Sequence, residues 1–307
     1  MPSTTTASPT PTITELTAPK AIIDMTAYER YKGEDGGLYG GGSNEPPPAH
    51  YQAALGELAS IQPLDAAGNP TPNGKIVLIS IGMSNTTQEF SVFRSLANQD
   101  PLKSPSVAIV DGAQGGQTAK IWAEQQRAWD VLAQRLQTAG VSPAQVQVVW
   151  LKQANAGPTK GFDEARTLQG QLGDIARKVK QAYPNVCIVY LSSRIYGGYA
   201  TTNLNPEPYA YEGAFAVRWL IQQQIAGDPN LNYDPAKGAV NSPLLLWGPY
   251  LWADGMNANS QRLTWAIDDL RSNDRTHPSK SGCQKVAGLL LNFFKTTELA
   301  RSWFVKQ

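Results

Sequence analysis

The chain has 307 residues, 41% of them apolar, and a net charge of +1 from 26 basic and 25 acidic side chains, enough for one large or two modest domains with an ordinary core. That balance excludes the basic excess that nucleic acid or an anionic membrane surface calls for. No apolar run approaches the roughly 20 residues that span a bilayer, so a soluble protein with no membrane span is expected.

Residues 1–20, MPSTTTASPTPTITELTAPK, are rich in Ser, Thr and Pro and lack the charged start and apolar centre of a signal peptide. They read as a disordered leader of the kind left after export processing; the compartment stays open between export and the cytoplasm. Residues 21–74 have little periodicity and carry GGLYGGGSNEPPPAH (Gly36 to His50) in their middle. Gly and Pro at that density mean irregular backbone. The glycines resemble a phosphate loop in composition only, since no strand precedes them. This stretch is expected to drape over the main domain, residues 75–307.

From residue 75 five short, nearly continuous apolar runs follow: KIVLISIG (Lys75–Gly82), SVAIVDG (Ser106–Gly112), VQVVWL (Val146–Leu151), VCIVYLS (Val186–Ser192) and LLLWG (Leu244–Gly248). Rich in β-branched residues and not alternating, they read as strands buried on both faces. Helical patterns separate them, at Thr118–Gly140, Phe162–Tyr183, Tyr211–Ala226 and Ser279–Phe294. The alternation predicts a three-layer α/β/α sandwich around a five-stranded parallel sheet. A flavodoxin-like order 2-1-3-4-5 is expected, because a doubly wound sheet puts its ligand site at the switch beside the first strand.

The residues capable of chemistry fall at strand ends. Ser84 follows the first run in Gly82-Met83-Ser84-Asn85, before a helix that Thr86 or Thr87 would cap with Gln88 or Glu89. A helix N-terminus there favours developing negative charge. The surroundings are not a Gly-x-Ser-x-Gly elbow, since Thr86 replaces the second glycine. Gly115 and Gly116 follow the second run, where they allow backbone N–H groups to face a cleft. Asn155 follows the third, where its amide is placed to donate to an oxyanion. Asp274 and His277 lie three apart in NDRTHPSKSG, before the last helix. The other histidine, His50, lies in the Pro/Gly-rich stretch, so His277 is the natural base. Taken singly, each has a plainer reading: an N-cap serine, a tight turn, turn chemistry at Asn-Ala-Gly-Pro, a surface turn with a capping Asp.

Together, a serine after strand one, glycines after strand two, an asparagine after strand three and a late Asp-x-x-His resemble the SGNH (GDSL-like) hydrolase superfamily, over roughly residues 75–294. The resemblance implies a serine ester hydrolase with Ser84 as nucleophile, His277 as base and Asp274 as its orienter. It also implies an oxyanion hole of the Ser84 and Gly116 N–H groups and Asn155. The chain departs from the usual Gly-Asp-Ser with Gly-Met-Ser, and from Gly-x-Asn-Asp with Gln153-Ala154-Asn155-Ala156. Gly-x-Ser-Asn and His-Pro-Ser are also similar to the carbohydrate O-acetylesterase branch, whose Gln-Gly-Glu motif is matched here only at Gln153.

Tyr196, Tyr199, Tyr209, Tyr211, Trp247, Tyr250 and Trp252 gather between the fourth run and the last block, with Asn203, Asn205 and Asp254. Aromatic faces stack on sugar rings, so Tyr196, Tyr199, Trp247, Tyr250 and Trp252 are candidate substrate contacts for a carbohydrate acetyl ester, although such rings also pack loops. An acyl chain or another small ester suits the same surface. Neither cofactor nor metal is expected: two Cys and two His fit no zinc spacing, and Cys187 and Cys283 read as buried thiols. A catalytically silent carbohydrate-binding protein and an acyltransferase with the same triad are the alternatives. A flavodoxin-like nucleotide binder is disfavoured, because the loop after strand one is poor in glycine. Oligomeric state is left open.

Overall fold

The five apolar runs form one sheet. In the computed structural model, which describes residues 12–306, they are β3 (Ile76–Gly82), β4 (Val107–Val110), β5 (Val146–Lys152), β6 (Ile188–Ser192) and β7 (Leu244–Trp247). All pairings are parallel, and the order β4-β3-β5-β6-β7 is the expected 2-1-3-4-5. A sheet buried on both faces has no reason to alternate apolar with polar, and every residue of β3, β5, β6 and β7 is buried.

The pleat sends alternate side chains into two cores. Val77, Ile79, Ile81, Val189 and Leu191 join one, with residues of α3 (Ala119–Glu124), α4 (Arg127–Thr138), α5 (Asp163–Ala182) and α6 (Tyr209–Ile225). Ile76, Leu78, Val148, Trp150 and Tyr190 join the other, with α1 (Pro48–Ser60), α2 (Ser84–Gln99), α7 (Lys280–Thr296) and α8 (Glu298–Phe304). The expected helix at Thr118–Gly140 is two helices, because Gln125 is extended (φ −112°, ψ 148°) between α3 and α4. None of the helices of the described residues is long and apolar enough to cross a membrane.

Residues 1–11 of the expected leader lie outside the described residues. Residues 12–20 are placed, with a two-residue strand β1 (Thr14–Glu15) paired in parallel to β2 (Glu29–Arg30). Ala21, Ile22, Ile23, Met25, Tyr31, Leu38 and Tyr39 enter the first core. The following stretch, read from sequence as irregular, contains α1. Its signal was present: proline at the helix start, where a missing N–H costs nothing, and His50, Ala54 and Leu58 at four-residue spacing, all buried.

Candidate active site

β3 ends at Gly82 and α2 begins at Ser84, with Met83 as an extended N-cap (φ −95°, ψ −161°). The turn is tight enough to require glycine. A Cβ on Gly82 would lie 2.3 Å from Thr86 Oγ1 and 2.5 Å from the Lys152 carbonyl oxygen. The expected side-chain cap by Thr86 or Thr87 does not form. Thr86 instead donates to Lys152 O at 2.8 Å, and Thr87 to the Asp111 carboxylate. Glu89, expected as a capping partner, is fully buried and pairs with the equally buried Lys152 at the end of β5. The hydroxyls and the ion pair serve strand-to-helix packing, and the first turn of α2 keeps its N–H groups for other partners.

Ser84 Oγ lies 2.8 Å from His277 Nε2, and His277 Nδ1 lies 2.7 Å from Asp274 Oδ2. The three-residue spacing explains how one short loop builds two-thirds of this chain. Asp274 Oδ1 accepts the backbone N–H of Thr276 and of His277, each at 2.9 Å, while Oδ2 is left for the ring. Arg275 between them takes φ 50° to make the turn. Burial works against the charge of Asp274, but those two N–H groups and the imidazole outweigh it and hold the carboxyl below its usual value of 3.8. Asn85 Nδ2 donates to Thr276 O at 2.9 Å and ties the start of α2 to this loop.

A pocket of ≈ 270 Å³ opens beside Ser84 and His277, lined also by Gly116, Ala156, Arg194 and Asn205. Gly116 has φ +74° and nothing within 4 Å of where a Cβ would stand, so its backbone is open to the pocket. Among the described residues neither the Ser84 nor the Gly116 N–H donates to another protein group.

The structure does not bring Asn155 to this pocket. Its Nδ2 donates to Gln171 Oε1 of α5 at 2.6 Å, and its Oδ1 accepts from Lys120 N of α3 at 3.2 Å. With both ends of the amide engaged by helices, it serves the packing of the β5 loop. Of the five aromatics expected to meet substrate, three are corrected. Trp247, Tyr250 and Trp252 are buried in the core. Trp247 Nε1 donates to Leu38 O (2.6 Å), Tyr250 OH accepts from Ile22 N (3.3 Å), and Trp252 Nε1 donates to Glu207 (2.7 Å). Their polar tips anchor the N-terminal segment and the half-buried carboxylate of Glu207, so no ring face is left for a ligand. Tyr196 and Tyr199 are half-buried and pack edge-on against each other with centroids 5.1 Å apart; neither lines the pocket.

Sequence reasoning missed Arg194, two residues beyond β6, which lines the pocket although its side chain is buried. A cation directly after an apolar strand run at the ligand-binding end of the sheet was the available signal. The other histidine, His50, is buried, and its Nε2 lies 2.8 Å from Leu245 O. Cys187 and Cys283 are free thiols, and burial pushes them up to about 12 and about 11 respectively.

No family model and no curated protein matches the chain. Among solved structures, it is similar to a carbohydrate esterase family 3 protein from Talaromyces cellulolyticus at 16% identity, covering 70% of this chain and 93% of that one with a TM-score of 0.39. It is similar to the lipase Lip_vut3 from goat rumen metagenome at 12% identity, covering 74% and 99% with a TM-score of 0.40. It is also similar to the periplasmic domain of a lipopolysaccharide acetyltransferase from Salmonella ser. Paratyphi A at 15% identity, covering 81% and 97% with a TM-score of 0.38.

Proposed function

We propose that the protein is a serine carboxylester hydrolase that works through an acyl-enzyme on a small ester, an acetylated sugar included. One observation carries the reading: the hydrogen-bonded chain Ser84 Oγ–His277 Nε2, His277 Nδ1–Asp274 Oδ2, with the serine at a helix N-terminus and open to a pocket. A serine hydroxyl is a poor nucleophile until a base takes its proton. Here His277 Nε2 accepts that proton as Oγ attacks the ester carbonyl, and Asp274 holds Nδ1–H and steadies the imidazolium. The oxyanion is met by the N–H groups of Ser84 and Gly116, helped by the positive end of α2. His277 then returns the proton to the leaving alkoxide. Water attacks the acyl-enzyme by the same route in reverse and releases the acid.

A pocket of ≈ 270 Å³ suits a short acyl group or a single ring better than a long chain. With Trp247, Tyr250 and Trp252 buried, the carbohydrate reading no longer rests on stacking and falls to the polar groups of the pocket. The test is turnover of short-chain 4-nitrophenyl esters and acetylated sugars, with mass-spectrometric mapping of a fluorophosphonate adduct. Hydrolysis together with an adduct on Ser84, both lost in Ser84→Ala, is the expected result. Hydrolysis that persists in Ser84→Ala would overturn the reading.

A further inference from the structure

Arg194 is 5% exposed, yet it lines the pocket that holds Ser84 and His277. Among the described residues its guanidinium makes no hydrogen bond and no ion pair, and its buried Nε has no partner. An arginine stays protonated in a protein. A buried cation with no partner is costly and calls for an anion.

Among the described residues no carboxylate forms an ion pair with it. Glu89 and Glu207 are those that act on Arg194 electrostatically, and no nitrogen of Arg194 comes within the 4.0 Å of an ion pair to either. Glu89 already faces the fully buried ammonium of Lys152, so one negative charge stands against two buried cations. Glu207 accepts from Trp252 Nε1 (2.7 Å), Gly197 N (2.9 Å) and Tyr211 N (2.8 Å), so both its oxygens are already engaged by other donors. A second buried group at the pocket is also unsatisfied: Asn205 Oδ1 has no partner, while its Nδ2 donates to Asn155 O at 3.0 Å.

We propose that Arg194 is a receptor for a carboxylate carried by the substrate, so that the esters cleaved at Ser84 are those of small acidic molecules. The planar fork of a guanidinium matches a carboxylate with two parallel hydrogen bonds. Asn205 Oδ1, in the same pocket, accepts from a hydroxyl, so a hydroxylated acid such as a hexuronic acid would satisfy both unpartnered groups at once. The assignment of substrate class rests on Ser84 as nucleophile; the anion site itself does not.

The test compares an O-acetylated hexuronate with the O-acetylated neutral hexose of the same ring. The intact protein should favour the hexuronate by tenfold or more in kcat/KM. Arg194→Gln should lose at least tenfold on the hexuronate and less than threefold on the hexose, and Arg194→Lys should recover part of the loss because it keeps the charge without the fork. Equal losses on both esters would make Arg194 a general positioning residue and overturn the proposal, as would an intact protein with no preference. Free hexuronate is the second probe, in a thermal-shift titration of Ser84→Ala, with and without Arg194→Gln. Stabilisation that depends on Arg194 is expected. No stabilisation, with neutral esters still hydrolysed, removes the anion site and leaves the esterase. Stabilisation without turnover of any ester by the intact protein removes the esterase and leaves the anion site.

Discussion

Asp274 shows how much a single side chain does at this site. Its two oxygens hold both the loop and the ring, so its replacement acts on geometry and charge together. Ser84→Ala and His277→Ala should each lower kcat by on the order of 10⁴ or more, with the double variant scarcely worse than either, because the pair acts as one unit. Asp274→Asn should cost less than Ser84→Ala; strictly additive losses in steady-state kinetics would count against a shared mechanism. The same carboxyl links stability to pH. Its folded pKa lies below 3.8, so its stabilising effect is present above that value and is lost as pH falls through the lowered folded pKa. The gap in melting temperature between the intact protein and Asp274→Asn should therefore hold at neutral pH and close in strong acid. Asn155 makes the opposite case. Because its amide is held by Gln171 and Lys120 and Asn155 does not line the pocket, Asn155→Ala should lower kcat by less than about tenfold, whereas loss of a true oxyanion donor costs roughly 10²–10³.

At the scale of elements, α2 is positioned by contacts the sequence disguises. Its Glu89 looks like an N-terminal capping residue and is instead a charge in the core, paired with Lys152 of β5. Burial pushes Glu89 up and pulls Lys152 down to about 8, the mark of a pair held against its own desolvation. Removing one partner strands the other. Lys152→Met alone should destabilise by about 3–5 kcal/mol, while Glu89→Leu with Lys152→Met should restore most of that loss. Urea unfolding of the two singles and the double would read the coupling. Because α2 carries Ser84 and reaches the histidine loop through Asn85, the single variant should also lose activity.

The whole molecule is closed by its N-terminal segment, which meets α6 through a buried cation. Arg218 is 1% exposed and pairs with Glu34 and Asp35, whose side chains are 24% and 27% exposed. Trp219 Nε1 also donates to Glu34 at 2.9 Å, and Lys32 reaches Glu212 at 2.6 Å. The exposures predict an asymmetry. Glu34→Gln with Asp35→Asn leaves Arg218 charged and buried, and should cost on the order of 3–5 kcal/mol. Arg218→Met leaves two carboxylates that can turn to water, and should cost less. Thermal unfolding of both variants would show the ordering, and no cost in either would mean that the segment is held by its apolar side chains alone.

What the sequence determined by itself was whatever depends on local order. Runs of β-branched residues without alternation made buried parallel strands, and their spacing with helical patterns made the sandwich and its 2-1-3-4-5 order. Ser84 and the Asp-x-x-His pair were legible because a strand end, a helix start and a three-residue loop place their groups within a few residues of chain. Tertiary structure alone decided the rest. Asn155 sits at the expected strand end, but its amide turned to the helices that pack there. Trp247 closes β7 and Tyr250 and Trp252 follow it, but a segment about 200 residues earlier meets the first two, and Glu207 takes the indole of the third. Arg194 could be seen at a strand end; that its buried Nε finds no hydrogen-bond partner among the described residues could be known only from the fold. Burial and hydrogen-bond choice depend on which distant residues arrive, and no local pattern encodes that.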